Sequence, residues 1–125
     1  MIFSVRRYRA RTIEECYTKF GGDYSGVLGR QGSEALIKRF LGKFLDDESY
    51  ANIFKNLESG NNEEAFRAAH TLKGICQNLG FDRLFVSANT VTEALRNGKN
   101  DVNDEMLAAL KADYELTAEA IRSLI

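Results

Sequence analysis

The residue in this sequence best suited to chemistry is His70, the only histidine in the chain. Lys73 follows it by three positions and Gly74 by four, so in an α-helix both would lie one turn further along the same face. Gln77 continues that face, and Phe66 precedes the histidine by one turn. A neutral imidazole is a nucleophile that can form a covalent intermediate. The spacing therefore predicts a group-transfer site on one side of a helix.

The neighbours of the imidazole favour phosphoryl transfer, which needs an in-line approach and positive charge near the phosphoryl oxygens. Lys73 can supply that charge. Gly74 has no side chain, so a partner's active site could close on the imidazole without a clash. Gln77 can offer hydrogen bonds that orient the ring or the phosphoryl group. Phe66 and Arg67 are expected to form a docking surface, because an exposed apolar group beside a reactive residue is typical of one.

Each of these residues also has a purely structural explanation. A single histidine usually has no catalytic role, and Lys73 could be an ordinary surface lysine. Phe66 could lie at the border of the core, and Gly74 could allow close helix packing. The combination still favours function, because Gly74 falls on the outer side of the helix, where it costs about 1 kcal/mol relative to Ala without a packing gain.

The helix that carries these residues is predicted to run from about Asn61 to Leu79. Asn61 and Glu64 form an N-cap pattern with a return bond, and Gly80 is typical of a left-handed C-cap. At about 100° per residue, His70 points roughly 150° away from the centre of the apolar stripe. That stripe consists of Ala65, Ala69, Leu72, Cys76 and Leu79. The imidazole is therefore predicted to face water.

The rest of the chain reads as further helices, without proline and without strand-like alternation. Helix starts are predicted at Thr12, which forms a capping box with Glu15, and at Asp23, Ser33, Asp82 and Asn103, with a bend at Asp46–Glu48. Phe81 and Val86 are expected to form a hydrophobic staple around Asp82, and Gly98 to end that helix. Short loops favour antiparallel neighbours. The prediction is an all-α fold, an antiparallel four-helix bundle from about Ser33 onwards with one or two extra N-terminal helices covering an end.

The bulk composition sets limits on function and organisation. The chain has 125 residues and a net charge of -1, which predicts one domain over residues 12–125 and no nucleic-acid partner. Residues 1–11 form a basic N-terminal arm with Arg6, Arg7, Arg9 and Arg11. No apolar run suggests a membrane span or a signal peptide, so a cytoplasmic location is expected. Cys16 and Cys76 have no metal or redox spacing, which predicts buried free thiols and no zinc site.

The stretch AHTLKG at residues 69–74, followed by Gly80, resembles the signature of histidine-containing phosphotransfer (HPt) domains of two-component phosphorelays. The resemblance extends over about Gly32 to Leu124. It implies that His70 accepts a phosphoryl group from the aspartate of a response-regulator receiver domain and relays it to another receiver. It also implies that Lys73, Gly74 and Gln77 play the roles given above. Magnesium would belong to the receiver, so no cofactor is expected here, and a hybrid histidine kinase is a further candidate partner.

The sequence departs from the HPt domains of chemotaxis-type kinases, in which an acidic residue on the next helix helps to polarise the histidine. The corresponding positions here hold Asn89 and Thr92, and Glu93 is one step off. This favours a passive relay over kinase-type priming. The chain also lacks a Gly-rich nucleotide loop, so it is expected to have no autonomous kinase activity, and whether it counts as an enzyme stays open.

Two other functions compete with a relay intermediate. The chain could be a helical adaptor that binds a receiver or another protein through the Phe66 face without transfer. It could also be a phosphodonor fragment of a larger kinase, which would require catalytic domains further along. The apolar stripes on the Leu36–Leu45 and Phe85–Leu95 helices can be covered within one chain, so a monomer is expected.

Overall fold

The computed structural model describes residues 10–125, which form seven α-helices and no strand. The helices are α1 (Ile13–Phe20), α2 (Tyr24–Gln31), α3 (Glu34–Asp46), α4 (Ser49–Glu58), α5 (Asn62–Leu79), α6 (Asp82–Ala94) and α7 (Asp104–Leu124). A short 3-10 turn, Arg96–Gly98, lies between α6 and α7. The all-α prediction is confirmed. Arg6, Arg7 and Arg9 of the predicted basic arm lie outside the described residues.

Helices α4 to α7 form the antiparallel bundle, with α5 packed along both α4 and α6, and α7 packed along α6. The bundle closes between its first and last helices, where the rings of Tyr50 and Tyr114 stack with centroids 3.7 Å apart. Helix α1 packs on α7, and α2 packs on α3. Because short connections join α4 to α5 and α5 to α6, the helix that carries His70 lies between two antiparallel neighbours.

Most of the predicted helix starts are confirmed by side-chain caps. Thr12 and Glu15 make both bonds of a capping box. The side chains of Asp23, Ser33, Asn61 and Asn103 each accept a hydrogen bond from a backbone N–H of the first turn that follows. These caps satisfy donors that the helix itself leaves unpaired. The predicted return bond from Glu64 to Asn61 is wrong, because the Asn61 N–H donates to the Asn56 carbonyl at 2.8 Å and the Glu64 carboxylate pairs with Arg67 at 3.5 Å.

The predicted start of α6 is wrong in detail. Phe81 is the N-cap residue, no side chain caps the helix, and Asp82 is already its first helical residue. The staple does not form, since Val86 is 65% exposed while Phe81 is fully buried. Phe81 packs instead against the rings of Phe20 and Phe44, with centroids 5.1 and 5.0 Å away. Burial in this aromatic cluster outweighs the local contact that the sequence pattern suggested.

The end of α6 differs from the prediction, whereas the cysteines agree with it. Helix α6 ends at Ala94, and Gly98 closes the following 3-10 turn with a φ of 78° rather than ending the helix itself. Both cysteines are free and buried, as predicted. Among residues 10–125, no helix is both long and apolar enough to cross a bilayer.

Candidate functional site

Helix α5 has one fully buried stripe and one exposed face, as the sequence predicted. Its buried residues are Ala65, Ala69, Leu72, Cys76 and Leu79. The helix begins where the Asn61 side chain accepts a hydrogen bond from the Glu64 N–H at 3.2 Å, and it ends at Gly80 with a φ of 72°. Because this stripe fixes the helix rotation, His70, Gly74 and Gln77 all lie on the exposed side.

The imidazole of His70 is exposed and lies against the ring of Phe66, with centroids 5.8 Å apart and planes inclined by 41°. Phe66 is half-buried and packs against the hydrophobic core. The Phe66 ring therefore lies at the border of the core and also contacts the candidate nucleophile, while its role in docking stays a prediction. The core contact limits the movement of the Phe66 ring, which gives the imidazole a neighbour on an otherwise open surface.

Lys73 lies on the side of α5 that faces α6, where it is half-buried. The pKa of Glu93 on α6 lies below its usual value because Arg96 donates hydrogen bonds to its carboxylate, and the Lys73 ammonium lowers it further. Within residues 10–125, no carboxylate comes within 4.0 Å of the Lys73 ammonium. Lys73 is thus near an acidic group without being tied to it, so its charge stays available to a bound anion.

Gly74 occupies the open face of α5, one turn beyond His70. A Cβ added to it would meet no heavy atom within 4 Å in the described part of the chain. Close helix packing therefore does not explain this glycine. The structure leaves the backbone next to the imidazole open to an approaching molecule.

The remaining residues of the predicted site lie further out on the same helix. Gln77 is exposed, two turns beyond the imidazole. Arg67 is exposed and pairs with Glu64 across one turn, at 3.5 Å. Surface pairs of this kind contribute little to stability, so the guanidinium of Arg67 can exchange partners readily.

Shallow grooves flank α5 on the side away from α6. One lies between α4 and α5 and is lined by Ser49, Asn52, Asn56, Glu64, Arg67, Ala68 and Thr71. Another lies between α3 and α5 and is lined by Phe40, Lys43, Phe44, Asp47, Ile75, Asn78 and Leu79. The first is polar and the second is largely apolar, so the exposed strip of α5 is bordered by surface that a protein partner could contact.

Within residues 10–125, the imidazole has no hydrogen bond to Asn89, Thr92 or Glu93, the α6 positions singled out in the sequence. Thr92 is buried, and its hydroxyl donates to the Ala88 carbonyl at 2.7 Å. Both carboxylate oxygens of Glu93 accept hydrogen bonds from Arg96, at 2.9 and 2.7 Å. The acidic group on this helix is therefore engaged with an arginine rather than with His70.

Sequence reasoning missed two arginines near this face. The guanidinium of Arg96 lies over the ring of Phe66, 5.3 Å from its centroid. The side chain of Arg30, from α2, donates to the Asn78 carbonyl at 3.1 Å. The Glu93–Arg96 spacing was a possible local signal, whereas nothing local links Arg30 to α5. The part of the chain that the structure describes contains no cluster of three or more metal-binding side chains.

The fold and site define an all-α bundle with a lone exposed histidine at the middle of one helix. A protein-family model for the Hpt domain matches residues 39–120, well over half of the chain. The chain therefore belongs to the Hpt domain family, and the resemblance noted in the sequence is confirmed. Comparisons with curated proteins and with solved structures gave no match. Family membership supports a role in histidine phosphotransfer and interaction with response-regulator receiver domains.

Proposed function

We propose that this protein is a phosphorelay intermediate in which His70 accepts a phosphoryl group from a receiver-domain aspartate and passes it to the aspartate of another receiver. The observation that carries the proposal is the exposure of the only imidazole in the chain, beside Lys73 and the open backbone at Gly74. Family membership supplies the class of reaction.

The relay protein and the receiver, with the metal ion of the receiver, supply every group that the transfer needs. The lone pair of one ring nitrogen of His70 attacks phosphorus from the side opposite the bond between phosphorus and the aspartyl oxygen. The N–P bond forms, the O–P bond breaks, and the aspartate leaves as a carboxylate. The other ring nitrogen keeps its proton during the attack. In the second half of the relay, a carboxylate of the next receiver attacks phosphorus and the imidazole leaves.

Each neighbouring residue has a separate proposed part in this reaction. The Lys73 ammonium stabilises the negative charge that spreads over the phosphoryl oxygens. Gln77 hydrogen-bonds to the ring or to the phosphoryl group. Phe66 and Arg67 contact the receiver, and the bare backbone at Gly74 gives its active site room to close. Magnesium belongs to the receiver in this scheme, and His70 itself needs no cofactor.

The arrangement on α6 favours a relay over a kinase. Glu93 is occupied by Arg96, so it does not prime the imidazole in the way described for chemotaxis-type kinases. We therefore propose that the chain depends on its receiver partners, and on a hybrid histidine kinase upstream of them, for phosphoryl groups. We further propose that it works as a monomer in the cytoplasm.

The decisive experiment is phosphoryl transfer from a purified receiver that carries labelled phosphate. The wild-type protein is expected to gain label that is stable in base and labile in acid, as a phosphorus–nitrogen bond requires. His70→Gln is expected to gain none while remaining folded. Stable binding of the receiver without label would instead identify a helical adaptor, and label that persists in His70→Gln would place the reaction on another residue.

A further inference from the structure

A chain of three contacts leads from α6 to the imidazole of His70. Glu93 holds the guanidinium of Arg96 by two hydrogen bonds, at 2.9 and 2.7 Å. That guanidinium lies 5.3 Å from the centroid of the Phe66 ring. The Phe66 ring in turn lies 5.8 Å from the imidazole centroid. Each member touches the next, and the last is the candidate nucleophile.

The orientation of the imidazole depends strongly on these contacts because His70 has few other constraints. His70 is exposed, and within residues 10–125 the interaction that it makes is the ring contact with Phe66, without a hydrogen bond to either nitrogen. A side chain on an open helix face samples several rotamers unless a neighbour restricts it. Phe66 is therefore the group that can select the imidazole orientation before a partner arrives.

We propose that Arg96 and Glu93 are positioning residues for His70: they clamp the Phe66 ring in the place where it orients the imidazole for phosphoryl transfer. This inference rests on the proposed function, since a preferred orientation matters only if the imidazole must attack in line. Neither residue touches the phosphoryl group in this scheme, and both act through Phe66.

Arg96 and Glu93 play different roles in the clamp. A guanidinium can contact an aromatic face while two of its N–H groups bind a carboxylate, and Arg96 does both: its Cζ lies over the Phe66 ring, and its Nε and Nη2 donate to Glu93. Arg96 lies in the 3-10 turn beyond the end of α6, so its long side chain reaches back toward α5. Glu93 removes the freedom that this side chain would otherwise keep. A lysine at position 96 would retain the charge but lose the fork.

Glu93 has a second effect on the site through its choice of partner. Its two oxygens are both occupied by Arg96, and Lys73 makes no ion pair within 4.0 Å in the described residues. The clamp therefore uses the Arg96 guanidinium to hold Phe66 and leaves the Lys73 ammonium for the phosphoryl group. If Arg96 were lost, Glu93 would be released to pair with Lys73 and would compete with the incoming phosphate.

An ordinary surface ion pair would behave differently from a clamp. Exposed pairs contribute little to the free energy of unfolding, so stability measurements alone cannot reveal a positioning role. The imidazole itself can report it. Because the chain has a single histidine, its two ring C–H signals are unambiguous in an NMR spectrum of the intact protein.

The first test compares these signals in Arg96→Gln, Glu93→Gln and Phe66→Leu. Phe66→Leu removes the ring current of Phe66, so the chemical shifts of the His70 signals should move to the values of a free imidazole. This change is the maximum against which the other variants are compared. Arg96→Gln and Glu93→Gln are expected to move the signals part of the way in the same direction. The double variant is expected to move them no further than Arg96→Gln alone, because the two residues act as a unit.

Arg83→Gln is the matched control, since Arg83 lies on α6, as Glu93 does, and like Arg96 it pairs with a carboxylate, that of Asp113 on α7, at 3.1 Å. It is expected to leave the imidazole signals in place. Unchanged signals in both Arg96→Gln and Glu93→Gln would overturn the proposal. An equal shift in Arg83→Gln would also overturn it, because the effect would then be general to α6.

The second test measures the transfer rate from a phosphorylated receiver. Arg96→Gln is expected to lower the rate at saturating receiver by about fivefold, on the order of one exposed cation–π contact, with little change in KM. Arg96→Lys is expected to recover only part of the loss. Equal rates for wild type and Arg96→Gln would overturn the positioning role alone. A wild-type protein that accepts no phosphoryl group would instead overturn the proposed function, whatever the NMR signals show.

Discussion

The hydroxyl of Tyr17 donates a buried hydrogen bond to the carbonyl of Leu79 at 2.7 Å, and so ties α1 to the end of the helix that carries His70. The last carbonyls of an α-helix have no partner within it. Here the preceding carbonyl, of Asn78, accepts from Arg30 at 3.1 Å, and that of Gly80 accepts from the Asp23 N–H at 2.8 Å. Helices α1 and α2 lie outside the segment matched by the Hpt family model, yet they and the turn between them supply hydrogen-bond donors to the carbonyls at the C-terminal end of α5.

Removal of the Tyr17 hydroxyl should therefore weaken the whole fold. Tyr17→Phe leaves a buried carbonyl without its partner, and we expect the free energy of unfolding to fall by about 1–2 kcal/mol, measured by urea denaturation. Tyr24→Phe is the control, because the Tyr24 hydroxyl bonds to Glu34 at the surface and its loss should cost less than about 0.5 kcal/mol. Equal losses in the two variants would contradict the role given to the buried bond.

The buried thiols and phenols predict a loss of stability in alkali. Burial raises the pKa of Cys16 to about 12, partly offset by Lys19, and burial raises the pKa of Tyr50 to about 12. The pKa values of Cys76 and Tyr17 are also raised, again chiefly by burial. In the unfolded chain these groups ionise at ordinary values of about 8.5 for a thiol and 10 for a phenol.

The sign of the effect follows from these differences. Below about pH 8.5 the folded and the unfolded chain both keep these protons, so the ionisation of these groups takes nothing from the free energy of unfolding. Above it the unfolded chain loses protons that the folded chain keeps, and stability falls as the pH rises toward 12. Urea denaturation at pH 7.5, 9 and 10.5 should show this decline, and Cys16→Ala should make it shallower. A constant free energy of unfolding across that range would show that these groups are not held neutral.

The exposed face of α5 could be predicted because it depends on local information alone. A 3.6-residue apolar period fixes which side of the helix is buried, and Asn61 and Gly80 mark its ends by their own side-chain and backbone chemistry. Those features place His70 and Gly74 on the water side without knowledge of any other helix. The structure confirms this placement.

The contacts around that face could not be predicted in the same way. Arg96 reaches Phe66 from a turn 30 residues later, and Arg30 reaches Asn78 across 48 positions. Such contacts depend on how the helices pack, which periodicity does not specify. Phe81 shows the same limit, because it joins an aromatic cluster with residues of two other helices, α1 and α3, instead of forming the local staple.

The charge of Lys73 should matter for transfer and hardly at all for folding. We expect Lys73→Gln to slow phosphoryl transfer by about tenfold or more, because the phosphoryl oxygens lose a nearby cation at the transition state. Its free energy of unfolding should stay within about 0.5 kcal/mol of wild type, as is usual for surface changes. Lys73→Arg should retain part of the rate.

Lys38→Gln provides the comparison for this experiment, since Lys38 is an exposed lysine of α3 that lines a groove near the ends of α1 and α7. Labelled transfer from a receiver, followed over time, gives both rates. If Lys38→Gln slowed transfer as much as Lys73→Gln, general charge attraction would explain the result. The specific role of Lys73 at the phosphoryl group would then be wrong.

Substitutions of Gly74 should affect helix stability and phosphoryl transfer in opposite directions. Since an added Cβ meets nothing within 4 Å, Gly74→Ala should raise the free energy of unfolding by about 0.5–1 kcal/mol through helix propensity. A long side chain at the same position should obstruct a receiver that closes on His70. We therefore expect Gly74→Gln to fold normally but to lose most of its transfer, measured as the initial rate of label uptake.

Gly42 offers a matched control, because it also lies within a helix and a Cβ there also meets nothing within 4 Å. Gly42→Ala should gain a similar stability, and Gly42→Gln should transfer at the wild-type rate. A Gly74→Gln protein that transfers as fast as Gly42→Gln would show that the receiver needs no clearance beside the imidazole. A slow Gly74→Gln protein that is also more stable than wild type would show that this glycine serves the partner at the expense of the helix.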